Sequence, residues 1–423
     1  MRKHVPLFLS IGVQLILAFF LGHVYDIRVF MATGYLVGTG QSPYIAQNLS
    51  AVFHNSAFQS VASVGDFPPW PLILGLVYLI SYKLIPNLLL YNLAIKIPIV
   101  TANIGLAYLT ANILSKLGAA EKVAHQAWIF LLFNPFLLYA TSAWGQFDSL
   151  VALLSLLALL RLSEEKLTSS AILLALAFIF KPTVLPLILV VFIYLRGRPF
   201  RLMFQYFSIL FVFSFVLLVG PFVIFRWDTT PILQHWNFHF SVADGLSYAT
   251  FLELIKGSDQ IPSLGWLAGL LWAPALVIAM FALKPDGEGL LDLLKNSAAL
   301  ILVFFLFQVR VTEPNTILIL PLVLILASMG ALDPRVLTAV WILPMIFGFF
   351  NTSMFQLLFP SMPILMDRLL QLSDVFRTAR LVLRIIVVIP WLYTGGWIVL
   401  SCLKGNRIAG DFEKRKDTLS IWK

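Results

Sequence analysis

Charge and cysteine are both scarce in this sequence. Only 12% of the 423 residues are Asp, Glu, Lys or Arg, whereas soluble domains carry roughly 25%. So few charges cannot cover a water-facing surface, which excludes a soluble globular protein. The single cysteine, Cys402, excludes a disulfide framework and any metal site built on cysteine thiolates.

The sequence also lacks the motifs of nucleotide chemistry. It contains no Gly-rich phosphate loop, nucleophile elbow or Walker motif, so nucleotide-driven chemistry is not expected. The net charge of +9 does not indicate nucleic acid, because the Lys and Arg residues lie in short loops between apolar segments, where membrane topology places them. His235 and His239 have the i, i+4 spacing of a helical metal pair but not the H-E-x-x-H pattern. We therefore expect no metal, no cofactor and no nucleic-acid partner.

Long hydrophobic runs dominate the sequence, in which 60% of the residues are hydrophobic. The runs are continuous, unlike the short alternating segments of outer-membrane barrels, and they predict an all-α polytopic membrane protein. A spanning helix needs about 20 apolar residues, and fewer inside a bundle. About twelve spans are predicted, at 5–22, 88–114, 123–141, 149–161, 169–180, 182–195, 203–225, 263–282, 290–307, 315–331, 336–350 and 385–401. The stretch 70–82 is assigned to an interfacial helix in a long first loop, 23–87.

The charges of the loops orient these spans. With the N-terminus in the cytoplasm, basic loops such as "RGRPFR" fall on the cytoplasmic side, as the positive-inside rule requires. The opposite face then receives the charges that interrupt apolar sequence. These are Asp26, Asp66, Lys96, Asp148, Lys181, Arg310 and Glu313. Because an ionisable group at membrane depth is costly unless it is paired or functional, their convergence predicts a polar cavity that opens outward.

Several of these charges have a structural alternative. Asp26 can be the N-cap of a helix that begins in "DIRVFMATGYLV", and Lys96 can snorkel to the membrane interface. Arg310 and Glu313, three residues apart in "QVRVTEPN", can form a plain surface ion pair. The lysine-proline step in "FIFKPTVLP" predicts a break between two short helices, which favours a functional role for Lys181, since helix breaks at membrane depth line cavities.

A series of short motifs carries a family resemblance. An aspartate just after the first apolar segment is followed by "GQSPY", "IKIPIVTANIGLAYL", "FNPFLLYATSAWGQFDSLVALL" and "LALAFIFKPTVLPL". This series, over residues 20–200, resembles the GT-C membrane glycosyltransferases, and W-G-Q-x-D is its most specific part. It is most similar to the polyprenyl-phosphate-mannose-dependent mannosyltransferases, including the first mannosyltransferase of glycosylphosphatidylinositol synthesis and its bacterial and archaeal relatives. It departs from them at Asn103, where relatives often carry an acidic residue.

The resemblance implies a GT-C-like bundle with a catalytic module at 1–225, a variable C-terminal module at 226–404 and a cytoplasmic tail at 405–423. It implies inverting transfer of a sugar, mannose by this likeness, from a polyprenyl-phosphate donor to a lipid-linked or cell-surface acceptor. The transfer would occur without metal on the non-cytoplasmic face of the cell membrane, or of the endoplasmic reticulum membrane in a eukaryote.

The same resemblance assigns roles to residues. Asp26 would be the general base, which takes the acceptor's proton, and Asp148 would orient the acceptor or the base. Lys181 and Arg310 would hold the donor phosphate. The remaining candidates for substrate binding are Lys96, Gln146, Trp144, Glu313 and Asp66.

Two other classes of protein are compatible with a chain of this kind. A lipid or glycolipid transporter or flippase also has intramembrane charges and broken helices, but it predicts inverted repeats and charges near the midplane. The sequence shows no repeat, and its charges cluster at one face. A structural assembly subunit would need no cavity at all.

Overall fold

The computed structural model describes residues 4–251, 269–283 and 289–403, and these residues are mainly helical. The helices of these ranges are α1 (Val5–Phe20), α2 (Val24–Gly38), α3 (Ser50–Phe53), α4 (Pro69–Ile80), α5 (Leu88–Lys116), α6 (Glu121–Leu132), α7 (Pro135–Leu137), α8 (Asp148–Ser163), α9 (Leu167–Phe180), α10 (Leu185–Leu195), α11 (Phe200–Phe225), α12 (Thr230–Ser241), α13 (Trp272–Ala282), α14 (Leu290–Phe307), α15 (Leu320–Ser328), α16 (Pro334–Gly348), α17 (Pro363–Val375) and α18 (Arg377–Leu403). Two short parallel strands, β1 (Asp244–Gly245) and β2 (Arg310–Val311), pair with each other.

Six helical segments of the described ranges are long and apolar enough to cross a membrane. They are Leu88–Lys116, Glu121–Ala143, Phe200–Phe225, Leu290–Phe307, Pro334–Asn351 and Thr378–Leu403. The chain is therefore an all-α, multi-pass membrane protein. Each of the twelve predicted spans overlaps a helix, but several of these helices are short, so the count of twelve stays a prediction. The start of the span at 263–282 and the tail at 405–423 lie outside the described residues.

Proline acts differently at the two lysine-proline sites. Near Lys96, where the proline pattern is compatible with a break or a kink, the helix is not broken: α5 continues from Leu88 to Lys116 with Pro98 inside it. The predicted break at Lys181 is present: α9 ends at Phe180, and Lys181 is extended, with φ −154° and ψ 116°. Proline disfavours helical backbone in the residue before it, and here that residue separates α9 from α10.

The first loop is folded onto the helices that follow it. Its helix α2 packs along α4, and Phe30 of α2 contacts Trp70 of α4 edge-on, with ring centroids 5.7 Å apart. Trp70 also packs against Phe147, 4.5 Å between centroids, at the start of α8. These buried aromatic contacts hold α2 beside the turn that contains "WGQFD".

That turn depends on a glycine. Gly145 has φ +106°, and a Cβ there would lie 2.5 Å from Cδ1 of Ile27 on α2. A residue with a side chain would be strained in this backbone conformation and would push α2 away. Gly145 therefore allows α2 and the turn to approach closely, which brings their side chains into one site.

Candidate active site

A cavity of about 360 Å³ lies where the helices are interrupted. Its polar wall includes Asp26, Asp66, Gln146, Lys181, His235, His239, Gln308 and Arg310, and its apolar wall includes Phe180, Leu185, Trp272, Phe304 and Phe305. Four of the seven isolated charges named from the sequence thus line a single cavity. The side of the membrane to which it opens stays a prediction.

Asp26 is held by three side chains. Trp144 donates its indole N–H to Oδ2 of Asp26 at 2.5 Å, and Nδ1 of His23 lies 2.8 Å from the same oxygen. Burial opposes ionisation of Asp26, but the charge and hydrogen bond of His23, together with hydrogen bonds from Trp144 and Gln146, outweigh it and lower the pKa of Asp26. The carboxylate is therefore ionised at neutral pH, as a general base must be.

The interpretation of Asp26 as an N-cap is wrong. Helix α2 begins at Val24, its N-cap is His23, and Asp26 lies inside the first turn. An acidic residue in the first turn is favoured by the helix dipole, but its side chain lines the cavity.

Asp66 places a second carboxyl group on the cavity wall. Burial raises its pKa to about 7, the cation of Lys181 lowers it, and the negative charges of Asp26 and Asp148 raise it further. The two carboxyl groups of the cavity therefore differ: Asp26 is ionised at neutral pH, whereas Asp66 carries a proton part of the time.

Asp148, one of the charges predicted to line the polar cavity, lies instead behind Lys181, outside the cavity wall. The Nζ atom of Lys181 donates to Oδ1 and Oδ2 of Asp148, at 2.7 Å each. Asp148 is buried at the start of α8, and Lys181 lines the cavity. The carboxylate therefore acts on the cavity through the lysine that it fixes.

Arg310 and Glu313 do not pair with each other, so the interpretation as a surface ion pair is wrong. Nη2 of Arg310 lies 3.3 Å from Oδ2 of Asp244, because strand pairing sets Asp244 beside Arg310. Nε and Nη1 of Arg310 have no hydrogen-bond partner among the described residues. Glu313 is buried and accepts a hydrogen bond from Asn351 at 2.9 Å, outside the cavity wall. Arg310 therefore offers unused donors at the cavity, whereas the position of Glu313 gives no support to substrate contact.

Lys96 is fully buried and does not snorkel to the interface. Its Nζ donates to the carbonyl oxygens of Leu21 and Ala143, and Asn92, one turn earlier, donates to the carbonyls of Ala18 and Leu21 at 2.7 and 2.9 Å. Lys96 therefore binds the end of α1 and the residue before Trp144. Neither Lys96 nor Trp144 belongs to the cavity wall, so both support the site from behind.

Asn103, where the resemblance departs, is also buried behind the site. Its side-chain N–H groups donate to Gln14 and Thr141, at 2.8 Å each. The position therefore joins α1 and α5 to the segment before Trp144.

His235 and His239 line the cavity as a hydrogen-bonded pair, with their Nε2 atoms 2.9 Å apart. Burial lowers the pKa of His235 to about 4 and that of His239 well below its usual value, and the cation of Arg310 adds to both shifts. Both rings are therefore neutral at pH 7. The part of the chain that the structure describes contains no group of three or more His, Cys, Asp or Glu residues that could hold a metal ion.

Sequence reasoning missed His23 and Asp244. Their signals were present but local and weak: His23 precedes Asp26 by three residues in "HVYD", and Asp244 is an isolated acid in "SVADGLS". Neither spacing indicates which distant group the side chain contacts.

The fold and the cavity define a multi-pass membrane protein with carboxylates, cations and an apolar wall around one buried space. The model of glycosyltransferase family 87 matches residues 71–286, about half of the chain, and the chain belongs to this family. It is a membrane glycosyltransferase of the GT-C type. The matched range includes Asp148, Lys181 and the histidine pair, whereas Asp26 and Arg310 lie outside it. None of the curated proteins matches this chain.

Proposed function

We propose that this glycosyltransferase moves mannose from a polyprenyl-phosphate donor to a hydroxyl of a lipid-linked or cell-surface glycan acceptor, on the non-cytoplasmic face and with inversion. The observation that carries the proposal is the composition of the cavity wall. An ionised carboxylate, two cations and an aromatic wall surround one space, and these groups match a hydroxyl, a phosphate and a lipid chain.

The donor phosphate is assigned to Arg310 and Lys181. Arg310 has two buried nitrogen atoms without partners among the described residues, and a phosphate oxygen would satisfy such donors with charge-assisted hydrogen bonds. Lys181 is already bound to Asp148, so it adds positive charge with fewer free donors. Arg310 is therefore the principal phosphate ligand of this proposal.

The lipid part of the donor is assigned to the apolar wall. Phe180 and Leu185 flank Lys181, and Trp272 packs edge-on against Phe304, with 5.2 Å between ring centroids. Apolar groups that line the same cavity as the cations favour a ligand with a hydrocarbon chain next to its phosphate. A nucleotide donor would leave this wall without a suitable partner.

The transfer follows from these positions. Asp26 takes the proton of the acceptor hydroxyl while the hydroxyl oxygen forms a bond to C1 of the sugar. The bond between C1 and the phosphate oxygen breaks, and its electron pair leaves with the polyprenyl phosphate. The phosphate gains one negative charge, which Arg310 and Lys181 stabilise. Attack from the side opposite the leaving group inverts C1.

The test compares donors in detergent-solubilised membranes that contain the protein. Radiolabelled polyprenyl-phosphate-mannose, polyprenyl-phosphate-glucose and GDP-mannose are each supplied with a lipid extract as acceptor. We expect label to move to a lipid-soluble product from the polyprenyl-phosphate-mannose only, and not with Asp26→Asn. Transfer from GDP-mannose by the purified protein would refute the donor class, and transfer from the glucosyl donor alone would refute the sugar.

The orientation is tested by cysteine labelling in a Cys402→Ser background. Ala62, in the first loop, and Ala120, between α5 and α6, are both exposed. A membrane-impermeant maleimide added from outside should label Ala62→Cys but not Ala120→Cys. The reverse pattern would place the cavity on the cytoplasmic side and contradict the proposal.

A further inference from the structure

His23 connects Asp26 to the C-terminal half of the chain. Nδ1 of its ring lies 2.8 Å from Oδ2 of Asp26, and Nε2 lies 2.6 Å from Oε1 of Gln356. The ring is buried and tilted against Trp144, with 4.7 Å between ring centroids. The backbone N–H of His23 donates to the carbonyl of Trp144 at 3.0 Å. The imidazole is thus fixed from several sides.

The contacts of His23 place an oxygen atom at each ring nitrogen, an arrangement that suits a ring protonated at both. A carboxylate oxygen and an amide oxygen only accept hydrogen bonds, and one faces each nitrogen. The imidazolium form donates to both, whereas either neutral tautomer would place a lone pair against an oxygen. With Nδ1 protonated, the 3.4 Å contact from the backbone N–H of Asp26 to Nδ1 is not a hydrogen bond.

The contacts also differentiate the two oxygens of Asp26. His23 and Trp144 both contact Oδ2. Each carboxylate oxygen has about two acceptor sites, so Oδ2 is fully used by these two donors. Oδ1 keeps an acceptor site for the proton of a substrate hydroxyl even if Gln146, the third side chain bonded to this carboxylate, donates to it.

We propose that His23 is the positioning residue of Asp26, a protonated imidazole that holds Oδ2, keeps the carboxylate ionised and leaves Oδ1 for the acceptor hydroxyl. The proton of His23 stays on His23 during transfer, and the hydroxyl proton goes to Oδ1. This inference rests on the proposed function, in which Asp26 is the general base. Gln356 acts one step further away, because it accepts the second proton of the ring.

The C-terminal half therefore supports the base. Gln356 lies in the short helical turn Met354–Leu357, and the backbone N–H of Gly22, next to His23, donates to the carbonyl of Leu357 at 2.8 Å. The same segment thus contacts the ring of His23 and the backbone of the residue before it. Neither His23 nor Gln356 lies in the matched range 71–286. Their role is therefore inferred from this geometry and not from the family match.

Other charged and titratable groups surround the pair, and they set the background for any pH experiment. The groups that interact electrostatically with Asp26 or His23 are Tyr25, Asp66 and Glu313, and the cations that line the same cavity are Lys181 and Arg310. None of these groups is removed by a substitution at His23, so a shift caused by that substitution reports the pair itself.

Two substitutions at His23 separate positioning from packing. The amide nitrogen of Asn lies near the position of Nδ1, so His23→Asn keeps a donor to Asp26. The amide nitrogen of Gln lies near Nε2, so His23→Gln loses that donor although its size is closer to histidine. We expect kcat at pH 7 to decrease in the order wild type, His23→Asn, His23→Gln, with the glutamine variant roughly 10- to 100-fold below wild type. A residue that only fills space would give the opposite order of the two variants.

The pH profile is the second readout. Loss of the neighbouring cation should raise the pKa of Asp26. Since Asp26 must be ionised to act as the base, the acid limb of kcat/KM should move to higher pH by the same amount in His23→Gln, and activity should recover in part at alkaline pH. Gln356→Leu should move the limb in the same direction by a smaller amount. His54→Asn, at an exposed histidine of the first loop, is the matched control and should leave rate and profile unchanged.

The outcomes distinguish this inference from the proposed function. If Asp26→Asn keeps its activity, Asp26 is not the base and the proposed function fails. If Asp26→Asn is inactive while His23→Gln has the rate and the acid limb of wild type, the positioning role of His23 is wrong. Should both His23 variants fail to fold, Gln356→Leu decides, and an unshifted acid limb in that variant overturns the inference.

Discussion

Lys181→Met is expected to destabilise the protein through the carboxylate that it leaves behind. Lys181 binds both oxygens of Asp148, whose side chain is 4% exposed, while that of the lysine is 18% exposed. Breaking a buried ion pair by removing one partner costs about 3–5 kcal/mol, because the remaining charge has lost its counter-ion. Water can reach the place of the lysine in part, so we expect the lower end of this range, about 3 kcal/mol.

The assay compares thermal unfolding in detergent for wild type, Lys181→Met, Asp148→Asn and the double variant, followed by tryptophan fluorescence. The double variant should regain most of the stability, since it buries no unpaired charge, and the four proteins form a double-mutant cycle. Lys181→Arg is the matched control that keeps the positive charge. Donor KM is measured on the same proteins, and it should stay raised in the stable double variant if Lys181 also serves the donor phosphate.

Three results would contradict this reasoning. A Lys181→Met protein that unfolds at the wild-type temperature would show that the pair is not desolvated. A double variant no more stable than Lys181→Met would show that the loss does not come from a stranded Asp148. A stable double variant with wild-type donor KM would make Lys181 a counter-ion only, and the phosphate would then be held by Arg310.

Four further predictions concern single positions. Asp26→Asn should lower kcat by about 10²–10⁴-fold with donor binding near wild type, and a near-normal kcat would exclude it as the base. Arg310→Met should raise donor KM roughly 10- to 100-fold. Arg310→Lys should raise it less, because a lysine restores the charge but not the planar set of donors. An unchanged donor KM in both variants would exclude a phosphate contact. Burial raises the pKa of Asp66 to about 7, so the folded state favours the protonated carboxyl group. The stability that this protonation contributes is fully present below pH 4 and is lost as pH rises to 7. Asp66→Asn should therefore raise the unfolding temperature at pH 8 and not at pH 4, and an equal effect at both would refute this. Gly145→Ala should lower both stability and kcat, because it adds a clash with α2 to a strained φ. Gly118→Ala is the control: Gly118 has φ +82° and open space around it, so the substitution should lower the stability by about 1–3 kcal/mol without loss of kcat.

The sequence allowed the class of the protein and the convergence of its charges to be predicted, but not which charges pair. Asp26, Asp66, Lys181 and Arg310 interrupt apolar sequence, and the cost of isolated charge at membrane depth is enough to predict that they meet. The partner of each depends on how distant segments pack. Arg310 pairs with Asp244 rather than with Glu313 because two-residue strands set their register, and strands so short give no sequence signal.

The local sequence also gave the wrong interpretation of Lys96. A lysine that snorkels and a lysine that is buried both have a long apolar side chain that ends in a charge, so the local sequence does not distinguish them. On α5, Asn92 and Lys96 lie one turn apart, so both side chains face the same neighbour. That neighbour is the C-terminal end of α1, whose last carbonyls have no partner within their own helix and carry the negative end of the helix dipole. A buried cation is stable there without a carboxylate, which sequence alone does not reveal because a carbonyl is present at every residue.

Interrupted backbone explains both the position of the site and the supports behind it. Irregular backbone at membrane depth is tolerated only where protein or a cavity satisfies its polar groups. Asp26 follows the end of α1, Gln146 lies in the turn before α8, and Lys181 separates α9 from α10. Each interruption frees a side chain to line the cavity and leaves carbonyls or N–H groups that require partners. Lys96 meets that requirement at two interruptions at once, the end of α1 and Ala143, so a lysine remote from the chemistry keeps Asp26 and Trp144 within hydrogen-bonding distance.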